Sequence, residues 1–106
     1  MDPTTAFVRS VEQGALEIVI NFGPLSGREA TQAEVDRLAR RLLATADHVR
    51  VDAVRTHDVS AVSESIVHQV VVEAAADTRH ARALRDVCEE WAAECAAERS
   101  LDPITP

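Results

Sequence analysis

The 106-residue chain has no lysine and no tyrosine. Without lysine there is no amine for a Schiff base, no phosphate-loop lysine and no lysine general base. Without tyrosine there is no phenol for proton transfer. Aromatic residues make up only 3 %, which argues against a platform for stacking bases. Two cysteines cannot build a disulfide framework, and they point to a reducing compartment. Three glycines and four prolines exclude collagen-like and low-complexity chains. No apolar run approaches the roughly 18–20 residues that span a bilayer. The first residues show neither the basic start nor the apolar stretch of a secretory signal. The expectation is a soluble, cytoplasmic protein without a membrane partner.

Charge of one sign is also in short supply. Eleven arginines face eighteen acids, for a net charge of −7. That balance argues against nucleic acid, whose binding draws mostly on cations that meet phosphate. Arginine as the sole fixed cation, together with many Ala and Val residues, is the pattern of a G+C-rich bacterial genome.

What is present suits a folded domain: 46 % apolar and 27 % charged residues. The length fits one domain with one core. The expected organisation is a flexible N-terminus over 1–6, a single domain over 7–100 and a C-terminal tail over 101–106.

The segment Phe7–Val11 reads as a short strand, and Glu12-Gln13-Gly14 as a turn. Ala15–Phe22 alternates cleanly, with Leu16, Ile18, Ile20 and Phe22 on one face and Glu17, Val19 and Asn21 on the other. Thr31-Gln32-Ala33-Glu34 has capping-box spacing and opens a helix whose apolar stripe is Val35, Leu38, Ala39, Leu42 and Leu43. A second strand spans 49–62, with a bulge expected where Val54 breaks the alternation. Ser63–Ser65 reads as a turn and Ile66–Ala74 as a further strand. Asp77 caps a last helix over 78–99, with Leu84, Val87, Cys88, Trp91 and Cys95 on its apolar face.

The order ββαββα predicts a ferredoxin-like α+β sandwich, two helices packed on one face of a four-stranded sheet. Phe7–Val11 takes the edge position beside 15–22 that a final strand usually fills. On the side away from the helices Val19, Val67 and Val71 leave a half-apolar face. A second copy packed sheet to sheet would cover it, so a homodimer is expected with these valines at the interface.

Four groups of residues could carry chemistry. Gly23-Pro24-Leu25-Ser26-Gly27-Arg28 links a strand to a helix. Gly23 and Gly27 allow close backbone approach, and Ser26 and Arg28 supply a hydroxyl and a fork for a small anion. The same residues also suit a turn alone. His57 and His68 lie on paired strands and come near one another. They are weak metal candidates, because two imidazoles fall short of the usual three ligands. Cys88 and Cys95 stand two helical turns apart, about 10 Å, too far for a disulfide. Finally, antiparallel helices would bring Arg40 and Arg41 toward Arg79 and Arg82 as a basic end, with Glu90, Glu94 and Glu98 gathered at the other. That arrangement suggests an anion site or an arginine-to-glutamate contact between subunits.

No cofactor motif is present and none is expected. Two readings of function remain open. One is a non-catalytic interaction or regulatory module, homodimeric, that binds a protein partner or a small anion. The other is a small dimeric α+β barrel-type enzyme with His57 or His68 as acid/base in a pocket between helices and sheet.

Overall fold

The computed structural model describes residues 6–12 and 14–101. Of the flexible N-terminus expected over 1–6 and the tail expected over 101–106, residues 1–5 and 102–106 lie outside the described residues, while Ala6 is buried at the start of the first strand and Leu101 ends the last helix. The architecture is α+β, with a four-stranded antiparallel sheet and three helices. The elements in chain order are β1 (Ala6–Glu12), β2 (Ala15–Ile20), α1 (Phe22–Ser26), α2 (Gln32–Leu42), β3 (His48–Val59), β4 (Glu64–Ala75), a single 3-10 turn over Thr78–His80, and α3 (Ala81–Leu101). No described helix is long and apolar enough to cross a membrane.

The strands lie in the order β1-β2-β4-β3. The Phe7–Val11 segment does form a strand, and it pairs with β2 at the sheet edge, with its register shifted between Val8 and Ser10. β2 and β3 are both antiparallel to β4, which lies between them. They therefore run parallel to each other, and the helical crossover joins two strands that are not neighbours.

One face of the sheet builds the core. Leu16, Ile18 and Ile20 of β2 and Val70, Val72 and Ala74 of β4 are buried there with Leu38 and Leu42 of α2. Leu84, Cys88, Trp91, Ala92 and Cys95 of α3 close the same cluster. At roughly 25 cal/mol per Å² of apolar surface, burying such side chains is the main term that holds the layers together. α2 starts as expected: the Thr31 hydroxyl accepts from the Glu34 amide, and the Glu34 carboxylate accepts from the Thr31 amide. Asp77 also acts as expected, although through a turn. Its carboxylate accepts from the Arg79 amide at 3.0 Å, and α3 begins only at Ala81.

Two readings of the sequence are corrected. The strand expected to run to Phe22 stops at Ile20, and Phe22 opens a third, short helix. Its ring is fully buried and stacks at a tilt on Trp91, centroids 5.2 Å apart. This long-range contact outweighs the local alternation. The bulge expected at Val54 is absent, since β3 pairs with β4 in unbroken register from His48–Ala75 to Val59–Glu64. Val54 breaks the pattern only because it is a valine on the face away from the helices.

Candidate functional site

The Gly23–Arg28 segment is folded tightly. Gly27 sits in the left-handed region at φ 77°, and its amide donates to the Gly23 carbonyl at 2.7 Å. The buried Ser26 hydroxyl donates to the Phe22 carbonyl at 2.8 Å, which closes α1 on itself. Gly23 lies against β4: a Cβ there would stand 3.0 Å from the His68 carbonyl oxygen and 3.1 Å from its Cβ. Only glycine fits that approach without displacing backbone.

Arg28 is not an open fork. Its two terminal nitrogens donate to the two Glu34 oxygens at 2.7 and 2.6 Å. Its guanidinium also lies 5.4 Å over the Phe22 ring. Glu34 accepts from the Thr31 amide at 2.9 Å as well, and its carbonyl accepts from the Trp91 indole N–H at 2.9 Å. The Arg28 guanidinium holds the Glu34 carboxyl well below its ordinary 4.5, at about 2, helped by the Thr31 amide and opposed by burial. These bonds tie α1, the start of α2 and α3 into one unit. Arg28 is thereby occupied as a clamp, and the anion cradle expected from Ser26 and Arg28 has both its polar side chains engaged within the chain.

The glycines and His68 do meet. A hollow of about 330 Å³ is lined by Gly23, Pro24, Gly27, Ile66, Val67 and His68. It exists because β2 ends at Ile20, opposite Val70, whereas β4 runs on to Glu64. α1 replaces β2 along that stretch and leaves a gap. His68 is half-buried at its wall, and its Nδ1 is buried without a hydrogen-bond partner. Sequence alone could not join these two candidates, since they are some forty residues apart and depend on where β2 stops.

His57 lies elsewhere, on the exposed end of the β3–β4 ribbon, where its Nε2 shares a 2.7 Å hydrogen bond with Glu64 Oε1. His57 is opposite Ile66 and His68 is opposite Arg55, so the two imidazoles are offset by two positions on one face. Among the described residues no three His, Cys, Asp or Glu side chains gather as a metal site.

The basic end expected from Arg40, Arg41, Arg79 and Arg82 is not assembled. Arg41 makes a two-pronged pair with Glu94, at 2.7 and 2.6 Å. Arg37 meets Glu98 at 3.1 Å, Arg40 meets Asp36 on its own helix, and Arg79 meets Asp77. Antiparallel α2 and α3 slide past each other far enough to match arginine to glutamate within one chain. Cys88 and Cys95 are buried and free. Burial pushes their thiols up to about 12 and about 11, so neither is poised as a nucleophile.

On the face away from the helices, Phe7, Val19 and Val71 form one row across three strands and end at Asp52. Val19 is only 1 % exposed under its own neighbours, and Val67 and Val71 are half-buried. Three bare apolar side chains gather at the ribbon end, Val59 at 61 %, Val62 at 94 % and Ile66 at 54 % exposed, while exposed Leu25 and Leu43 stand apart on α1 and at the end of α2. Compared with family models, with curated proteins and with solved structures, the chain matches none.

Proposed function

We propose that this chain is a non-catalytic interaction module that works as a homodimer and serves a protein partner or a small anion. We read its fold as a ferredoxin-like sandwich: β2, α2, β3, β4 and α3 follow the split βαβ order, and β1 fills the vacant edge beside β2. The observation that carries the functional reading is uncovered apolar surface on the sheet. Val59, Val62 and Ile66 stand bare on one ribbon, and on the face turned away from the core Phe7 is exposed and Val67 and Val71 are half-buried, while Val19 is closed over. Apolar surface gathered in this way marks an interaction site more often than scattered residues do. The second copy meets the sheet, which offers both the face with Val19, Val67 and Val71 and a free outer edge on β3. Light scattering on the eluting protein tests this. A mass of twice the 11.5 kDa chain supports it; the mass of one chain at micromolar concentration contradicts it.

A second reading is favoured by one observation, the partnerless Nδ1 of His68 at the wall of the 330 Å³ hollow. In it His68 is the acid/base of a small α+β barrel-type enzyme, with Pro24, Ile66 and Val67 as apolar lining. His57, exposed and paired with Glu64, takes no part. NMR with a panel of small organic acids tests it: saturable shifts at both the His68 ring and the Gly27 amide support it, and their absence removes it.

A further inference from the structure

We propose that two copies join by pairing the outer edges of β3, antiparallel, in a register centred on Val54. The proposal rests on the homodimer reading and names where that dimer forms.

The sheet has two edges, β1 and β3. They are not equally open to pairing. The register of β1 is broken between Val8 and Ser10, an irregularity of the kind that protects an edge from further strands. β3 is twelve residues long, with no break along its ladder. A long, regular edge strand is a ready template for another chain.

The direction of its backbone groups follows from two hydrogen bonds. The Ser60 amide donates to the Ser63 carbonyl at 2.8 Å, on the same register as the β3–β4 ladder. The Ala76 amide donates to the Gly14 carbonyl at 3.2 Å, on the register of β2–β4. In an antiparallel ladder hydrogen-bonded and non-bonded pairs alternate. Even-numbered β3 residues therefore bond to β4. Val49, Val51, Ala53, Arg55, His57 and Val59 direct their amides and carbonyls to the outer edge.

A two-fold axis normal to the sheet keeps each face on its own side, so only residues of equal parity can stand opposite one another. Four central registers satisfy this, and their charges separate them. Centred on Asp52, that carboxylate faces its own copy. Centred on Arg55, arginine faces arginine and Asp52 faces Asp58. Centred on Ala53, Arg50 faces Thr56 and Asp52 faces Val54, so neither of these charges meets its opposite. Centred on Val54, Arg50 of each copy faces Asp58 of the other, Val49 faces Val59, and Val54 faces itself. Opposite charges and paired valines across strands are each favourable, and facing like charges are not.

This register also uses what the single chain leaves idle. Val59 is 61 % exposed and gains a valine neighbour. Asp58 has no ion-pair partner of its own among the described residues. Arg50 holds only an exposed contact to Asp52 at 3.2 Å. The face with Val19, by contrast, is already largely closed by its own side chains. It stays available to a protein partner on a sheet that runs continuously through both copies.

Sedimentation equilibrium of Arg50→Asp, Asp58→Arg and the double exchange tests the register. Each single exchange sets like charges opposite each other twice, and is expected to weaken dimerisation by about tenfold or more. The double exchange restores opposite charges and is expected to return the dimer to near its original strength. Ala53→Pro removes an outward amide without touching the β4 ladder, and is expected to yield monomers that keep the thermal midpoint of a folded chain. A dimer indifferent to the single exchanges and to Ala53→Pro overturns the edge pairing and leaves the homodimer standing. Single exchanges that weaken the dimer with no recovery in the double overturn the register. A monomeric unaltered protein overturns both.

Discussion

Gly23 rests on the backbone of His68 so closely that a side chain there would meet the His68 carbonyl oxygen at 3.0 Å. This contact seats α1 on the free flank of β4 and shapes the hollow beside it. Gly23→Ala is therefore expected to cost about 1–3 kcal/mol, because the atoms in the way are backbone and cannot swing aside. A denaturant midpoint lowered with unchanged slope checks it. A midpoint equal to that of the unaltered chain would mean that α1 is not held there.

Arg28 and Glu34 give the fold an acid limit. The folded Glu34 carboxyl ionises at about 2, below its ordinary 4.5. Its contribution to stability is thus complete above about pH 4.5 and fades as the pH falls toward 2. With the carboxylate nearly buried, that contribution is about 3 kcal/mol. Glu34→Gln should flatten the acid side of the stability profile between those values and lower stability at pH 7. Arg28→Ala, which strands the carboxylate, should destabilise by about 2 kcal/mol or more. An acid limb of equal steepness in Glu34→Gln would assign the effect to other carboxylates.

Both thiols are shut away by burial, with values pushed to about 12 and about 11. At pH 8 the folded protein is expected to leave Cys88 and Cys95 unmodified by a thiol reagent over minutes, and both should react at once in denaturant. Prompt labelling of either in the folded state would show that α3 opens readily or that the thiol has a chemical role.

The elements that were legible in the sequence are those whose signals are local. Alternation of Leu16, Ile18 and Ile20 marks β2, and the Thr31–Glu34 box marks the start of α2 to the residue. Phe22 misled, because its parity continues the strand while its ring is claimed by Trp91, 69 positions away. Val54 suggested a bulge only because alternation presumes one buried face, and β3 outruns the core. The loop glycines and His68 were each visible as candidates. Their meeting was not, because it depends on β2 stopping at Ile20. The Arg28–Glu34 and Arg41–Glu94 pairs depend on how helices pack, which periodicity does not report.

Native mass spectrometry of the purified protein, near neutral pH and at micromolar concentration, tests the central claim most directly. The interaction-module reading predicts a species of twice the 11.5 kDa chain mass. A species of a single chain mass alone, under conditions that preserve known dimers, would contradict it.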